Sequence, residues 1–150
     1  MAYTYLITGA TSDVGRALIE RLLRAEPDSL VLAQGCGDLP KLDALCAAFA
    51  GRIKTYDADL SDRAKVDAFV QQLQDAPAPT HFVHLPALPV VNTKFKAFDQ
   101  ARFDLDMEIE IHSAVRILRA ILPAMAFLLS QEAGFITGVT LPITGGSAIV

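Results

Sequence analysis

Short apolar runs alternate along this chain with segments whose apolar residues recur every three or four positions. The runs end at glycine, proline or other turn-forming residues, which is typical of buried strands. They predict five strands, at residues 3–8, 30–34, 52–56, 81–85 and 134–143.

The segments between these runs predict four helices, at residues 14–22, 42–49, 66–73 and 99–125. Ser61 precedes the third helix, and we expect it to be the N-cap. Strands that alternate with helices predict a parallel sheet with right-handed crossovers. We therefore expect an α/β protein with a Rossmann-like doubly wound parallel sheet of about five strands, in the order 3-2-1-4-5.

The composition fits a single domain over residues 1–150, because 52% of the residues are hydrophobic and 20% are charged. The 13 basic residues are scattered and outnumbered by 17 acidic ones, so no nucleic-acid partner is expected. Cys36 and Cys46 form neither a disulfide framework nor a metal-ligand set, which favours a reducing, cytoplasmic location. The N-terminus lacks a signal-peptide pattern, and the longest apolar run, at 120–129, contains Pro123, so no membrane contact is expected.

The turn between the first strand and the first helix carries the clearest chemical signal. Residues 8–15 read TGATSDVG, with Gly9 and Gly15 at its ends. Glycine allows a sharp turn, and the following helix N-terminus offers N–H groups and positive dipole to a pyrophosphate. The same residues also fit a plain strand-to-helix turn with Asp13 in a capping position.

The segment TGATSDVGRAL resembles the glycine turn of the short-chain dehydrogenase/reductase family. Asp59-Leu60 is similar to that family's adenine-side segment, residues 103–125 resemble its fourth helix, and residues 127–146 resemble its C-terminal segment. In a second, less favoured alignment, residues 134–140 resemble the family's fifth strand, with Thr140 near its usual serine. The resemblance implies a bound NAD or NADP. It implies these cofactor-binding residues: Gly9, Thr11, Ser12, Asp13, Val14, Gly15, Gln34, Asp59, Leu60, Pro86 and Ala87.

The chain departs from this family at the cofactor cleft. Asp13 stands where the family has its middle turn glycine, which weakens phosphate binding without excluding it. His84-Leu85-Pro86-Ala87 replaces the family's Asn-Asn-Ala-Gly. Gln34 occupies the position where an acidic residue favours NAD and an arginine favours NADP, so that choice stays open, and a flavin nucleotide remains an alternative.

The family's catalytic pair, a tyrosine followed four residues later by a lysine, is absent from the sequence. Tyr3, Tyr5 and Tyr56 are followed at that distance by Ile7, Gly9 and Leu60. If the domain catalyses a reaction, its proton-handling candidates are His84 and Glu110, with His112 nearby and Thr140 or Thr144 as hydroxyls. The ordinary interpretation of these side chains is a polar strand end and a solvated helix surface.

Three functions are consistent with this pattern. The first is a nucleotide-binding or regulatory module without the standard Ser-Tyr-Lys chemistry. The second is an atypical oxidoreductase that uses a nicotinamide or flavin nucleotide with His84, Glu110 or residues of a partner subunit. The third is an assembly protein with an empty cleft. We expect a homodimer or higher homo-oligomer, because helices that pair between subunits in this family would leave an apolar surface here.

Overall fold

The computed structural model describes residues 3–91 and 94–122, which build a parallel sheet covered by helices. The strands are β1 (Thr4–Thr8), β2 (Leu30–Gly35), β3 (Ile53–Asp57) and β4 (His81–His84). They lie in the order β3-β2-β1-β4, and every neighbouring pair is parallel. The predicted order of the first four strands is confirmed. The predicted fifth strand, 134–143, lies outside the described residues.

Five α-helices connect and follow these strands in the described part of the chain. They are α1 (Asp13–Ala25), α2 (Asp43–Ala48), α3 (Arg63–Leu73), α4 (Gln100–Met107) and α5 (Ser113–Ile121). A 3-10 turn, Leu39–Leu42, precedes α2, and one π-helical turn, Glu108–His112, joins α4 to α5. The helix predicted at 99–125 is thus interrupted, and it ends at Ile121. Leu122 is extended, with φ −80° and ψ 115°, as residues before a proline tend to be.

The N-cap of α3 is Asp62, so the prediction of Ser61 at this position is wrong. The Asp59 carboxylate accepts hydrogen bonds from the N–H of Ser61 at 3.0 Å and from its hydroxyl at 2.6 Å. Because this local turn engages Ser61, the chain enters the helix one residue later. The Asp62 carboxylate then accepts from the N–H of Ala64 at 2.9 Å.

Two hydrophobic cores hold the helices against opposite faces of the sheet. Successive strand residues point to opposite faces, so β1 contributes Leu6 to one core and Tyr5 and Ile7 to the other. The first core lies under α3 and α5 and is built around Leu6, Leu32, Tyr56, Val66, Phe69, Leu73 and Ile117. The second lies under α1 and is built around Tyr5, Ile7, Ile19, Leu23, Val31, Ala33 and Leu42. This double cover leaves the carboxyl ends of the strands as the open edge where such sheets bind ligands.

Candidate functional site

The turn from β1 into α1 is packed so closely that a side chain at either terminal glycine would disrupt it. Gly9 has φ +67°, and a Cβ there would lie 2.9 Å from the backbone nitrogen of Pro86. A Cβ on Gly15 would lie 2.6 Å from the carbonyl oxygen of Gly9 and 2.7 Å from that of Ala10. The two glycines therefore seat the first turn of α1 directly against the end of β1.

The N-terminus of α1 is capped in a way that leaves backbone donors available. Ser12 Oγ accepts from the N–H of Gly15 at 3.0 Å and donates to the carbonyl of Gly9 at 2.8 Å. The N–H groups of Asp13 and Val14 belong to the first helical turn, where helix geometry provides no intrahelical acceptor. Together with the helix dipole, this arrangement suits an anionic group such as a phosphate.

A cavity of about 320 Å³ opens beside this turn, at the carboxyl ends of the strands. Eight of the predicted cofactor-binding residues line it: Gly9, Thr11, Ser12, Gln34, Asp59, Leu60, Pro86 and Ala87. They come from the turn after β1, the end of β2, the segment after β3 and the segment after β4. We call this cavity the cleft.

Three predicted residues of the glycine turn do not line the cleft. The side chain of Asp13 is 95% exposed and pairs with Arg16. Val14 is 66% exposed and points away from the core, while the buried face of α1 is formed by Gly15, Ile19 and Leu23. Gly15 acts through the backbone by allowing the helix to approach the turn.

Sequence reasoning missed five residues that line the cleft: Gly35, Cys36, Asp38, Leu85 and Ile109. Cys36 and Asp38 lie in the loop that follows β2, and the Gly-Cys-Gly sequence at that strand end was the available signal. Leu85 immediately precedes the predicted Pro86. Ile109 lies in the π-helical turn, which no sequence pattern predicted.

The family model for short chain dehydrogenases matches residues 3–141 of the chain. The chain belongs to the short-chain dehydrogenase family. It is 25% identical over 122 residues to a fatty acyl-CoA reductase from Acinetobacter baylyi, a match that covers 80% of this chain and 41% of the relative.

Solved structures of this family share the fold. A short-chain dehydrogenase from Streptomyces avermitilis superposes with a TM-score of 0.73 and 25% identity, covering 82% of this chain and 44% of that one. A metagenomic short-chain oxidoreductase in complex with NADP gives 0.70 and 22%, covering 82% and 56%. The chain thus spans about half the length of these relatives. These comparisons give no support to the flavin alternative.

His84, a candidate for proton handling, is held by hydrogen bonds at both ring nitrogens. Nδ1 lies 2.7 Å from Thr8 Oγ1, and Nε2 lies 3.1 Å from the carbonyl oxygen of Ile109. A carbonyl can only accept, so Nε2 carries the proton and Nδ1 accepts from the threonine. Burial lowers the pKa of His84, opposed by the Ile109 hydrogen bond and the Glu110 charge. The neutral ring ties β1 and β4 to the π-helical turn and does not line the cleft.

The other proton-handling candidates also lie outside the cleft lining. Glu110 is exposed and lines a separate cavity of about 560 Å³ together with Arg102 and Phe103. His112 is half-exposed, and its Nδ1 lies 2.8 Å from Glu108 Oε2. Thr140 and Thr144 lie outside the described residues. His84, Glu110 and His112 therefore do not line the cleft, and their catalytic roles stay predictions.

None of the three tyrosines lines the cleft in place of the family's catalytic tyrosine. The Tyr5 hydroxyl donates to Glu26 at 2.8 Å, and burial together with that carboxylate raises the pKa of Tyr5 to about 12. Tyr56 is buried in the core beside Phe69, and Tyr3 packs edge-on against His81. In residues 3–91 and 94–122, no group of three His, Cys, Asp or Glu side chains is placed to hold a metal ion.

Proposed function

We propose that this chain is an NAD(P)-binding module that lacks the Ser-Tyr-Lys redox chemistry standard in its family. The observation that carries the proposal is the cleft at the strand carboxyl ends, closed on one side by the glycine turn. Parallel α/β sheets bind nucleotides at this edge, with the pyrophosphate on the first helix N-terminus. We also propose that residues 1–150 form one domain.

The cleft residues divide into three roles under this proposal. Ser12 and the first backbone N–H groups of α1 hold the pyrophosphate. Asp59, Leu60 and Cys36 surround the adenosine end, because they follow β3 and β2. Pro86 and Ala87, which follow β4, form the wall at the nicotinamide end. The dinucleotide supplies hydride chemistry wherever a suitable substrate and proton donor meet it.

The contacts of the candidate catalytic side chains support binding without turnover. The sequence contains no tyrosine followed four residues later by a lysine. Both ring nitrogens of His84 are engaged, and Glu110 faces a different cavity. These contacts favour a binding or regulatory module over the atypical oxidoreductase.

Isothermal titration with NADH, NADPH and FMN tests this proposal. We expect saturable binding of a nicotinamide dinucleotide, no binding of FMN, and no oxidation of NADH when simple aldehydes and ketones are added. Ala87→Trp should abolish binding by filling the cleft, because Ala87 is exposed at its wall. Ala68→Trp, at an exposed position on α3, is the matched control and should bind as the wild type does. Absence of binding to NADH and NADPH would overturn the proposal.

We further propose that the chain assembles as a homodimer or higher oligomer. Three apolar side chains on the α4–α5 side are exposed and would be covered in an oligomer: Phe103 is 46% exposed, Ile111 48% and Val115 51%. Sedimentation at micromolar concentration should show a species larger than the monomer. A monomer across the whole concentration range would contradict this.

The proposed location is the cytoplasm. Cys36 is exposed and Cys46 partly exposed, and both are free thiols, as a reducing compartment permits. Within the described residues, no helix has the length and apolar character needed to cross a membrane. Fractionation of the cell of origin tests the location, and recovery in an exported fraction would overturn it.

A further inference from the structure

Gln34 stands at the position expected to distinguish NAD from NADP, but its amide is fully engaged in holding the fold. The side chain is 2% exposed. Its Oε1 accepts from the N–H of Gly9 at 3.0 Å, and its Nε2 donates to the carbonyls of Gly35 at 2.9 Å and Ala58 at 2.7 Å. Gln34 therefore fixes the glycine turn to β2 and has no donor left for a ligand.

Asp38 presents a carboxylate to the same part of the cleft. Its Oδ2 accepts from Lys41 Nζ at 3.0 Å, and its Oδ1 lies 3.3 Å from the N–H of Cys36. Burial acts to raise the pKa of the Asp38 carboxyl, but hydrogen bonds from Thr11 and Lys41 outweigh it and hold that pKa below its usual value. The group is therefore ionised at neutral pH and is fixed against the glycine turn.

The charge around this end of the cleft is negative. Among the described residues, the cleft lining contains the carboxylates of Asp38 and Asp59 and no lysine, arginine or histidine. The two nearby lysines are already paired with these carboxylates, Lys41 with Asp38 and Lys65 with Asp59 at 3.8 Å. Burial, and then the charges of Asp59 and Asp57, raise the pKa of the Cys36 thiol at the same rim.

We propose that the cleft selects NAD(H) against NADP(H), with Asp38 as the selecting residue. The inference rests on the proposed nucleotide-binding function. Asp38 follows the glycine turn by about twenty residues, the separation at which an acidic side chain in this fold accepts from the ribose 2′-hydroxyl. A 2′-phosphate at that place would meet the carboxylate, and the described part of the chain supplies no unpaired cation to the cleft lining.

Titration of the purified protein with NADH and NADPH at low salt measures the selection. We expect NADH to bind at least about tenfold more tightly than NADPH, a ratio that corresponds to about 1.4 kcal/mol. The ratio should shrink as salt is raised, because the ions screen the repulsion of the 2′-phosphate. Asp38→Asn should bring the two affinities to within about threefold of each other. Asp43→Asn, the same charge change at an exposed position on α2, should leave the ratio unchanged.

A second variant allows the selection to be tested even if Asp38→Asn fails to fold. Cys36→Arg places a guanidinium at an exposed position of the cleft rim and should strengthen NADPH binding relative to NADH. Equal affinities in the wild type, or a ratio that Asp38→Asn leaves unchanged, would overturn the selection while nucleotide binding stands. Tighter NADPH binding that Lys41→Gln weakens would overturn it in favour of a phosphate site at Lys41. Absence of binding by either nucleotide would overturn the nucleotide function itself, and the selection with it.

Discussion

The two ends of the cleft differ in what they are made of. The end proposed to hold the phosphates, residues 8–15, is called the phosphate end and is shaped mainly by backbone: glycines that admit no Cβ and a capped helix N-terminus. At the opposite end, β4 and the π-helical turn are held by side chains that hydrogen-bond to the backbone of the turn. Ile109 illustrates this, because its carbonyl accepts from His84 at 3.1 Å and from Ser113 Oγ at 2.5 Å.

Under the proposed function, this contrast explains how a nucleotide can bind although the sequence contains no tyrosine followed four residues later by a lysine. Backbone N–H groups remain in place when most side chains are substituted. Asp13 illustrates this: it stands where the family has a glycine, and its side chain is exposed to solvent. Catalysis instead requires particular side chains with free functional atoms. At the β4 end those atoms are used to fix the π-helical turn, which is a local departure from the α-helical pattern.

The largest effect is expected from breaking the packing of α5, the helix that follows the π-helical turn. Ile117 is fully buried in the core under α3 and α5. Ile117→Ala should lower the free energy of unfolding by about 2–5 kcal/mol, because it leaves a cavity. Val115→Ala, at a 51% exposed position of the same helix, should change it by less than about 0.5 kcal/mol. Urea denaturation measures both, and equal small losses would show that this core does not hold α5.

A smaller loss is expected at the phosphate end from Gly15→Ala. Alanine favours helix over glycine by about 1 kcal/mol. The added Cβ, however, would meet only backbone atoms, the nearest at 2.6 Å, which cannot move aside easily. The cost of overpacking should exceed the gain in helix propensity, so we expect a net loss of about 1–3 kcal/mol in the free energy of unfolding.

The control for this glycine is Ala17→Gly, at an exposed position of the same helix. It should lose about 1 kcal/mol and thereby measure the helix-propensity contribution alone. If Gly15→Ala instead stabilised the protein, the close seating of α1 on the turn would be refuted.

The His84 network should make stability depend on pH. Because burial lowers the folded-state pKa of His84, the unfolded chain binds more protons just below the ordinary histidine pKa. The contribution of His84 to the free energy of unfolding is therefore full above about pH 6.5 and declines as the pH falls below it.

Urea denaturation at pH 7.5, 6.5 and 5.5 checks this behaviour. His84→Asn should lose about 1 kcal/mol at pH 7.5 through its hydrogen bonds and should show a flatter pH dependence than the wild type. His81→Asn, at an exposed position of β4, should keep the wild-type dependence. An unchanged dependence in His84→Asn would mean that the network does not set it.

The smallest effect concerns Asp13 beside the N-terminus of α1, where the proposed function places the pyrophosphate. Asp13→Gly removes a negative charge that repels the pyrophosphate, and charges at helix termini contribute about 0.3–1 kcal/mol. We expect NADH to bind about two- to fivefold more tightly, measured by calorimetry at low salt. Asp75→Asn, at an exposed position beyond α3, should leave the affinity unchanged. Weaker binding in Asp13→Gly would show that the carboxylate supports the site.

Sequence patterns predicted the order of the first four strands and the position of the glycine turn because both depend on local signals. Glycine spacing, apolar runs and helical periodicity each arise from a few neighbouring residues. The selecting residue was harder to locate: Gln34 was expected at that place, yet its buried amide binds Gly9 and Ala58, and Asp38 faces the cleft instead. Such a contact joins residues far apart in sequence, so no periodicity encodes it.

The π-helical turn and the Ser61 error have a similar origin. An extra residue in a helix preserves its apolar pattern on either side, so residues 99–121 look continuous in sequence. Ser61 has the chemistry of an N-cap, but Asp59 competes for its hydroxyl and N–H. In both cases the local structure depends on which of several possible hydrogen bonds forms.

Nitrogen-15 NMR during a titration with NADH tests the central claim, that the cleft at the strand carboxyl ends holds a nicotinamide dinucleotide. The account predicts saturable shifts at the backbone amides of residues 9–15, 35–38, 59–60 and 85–87 (Pro86 has none), with much smaller shifts on α3. Shifts that do not saturate, or that centre on α4 and α5 instead, would contradict it.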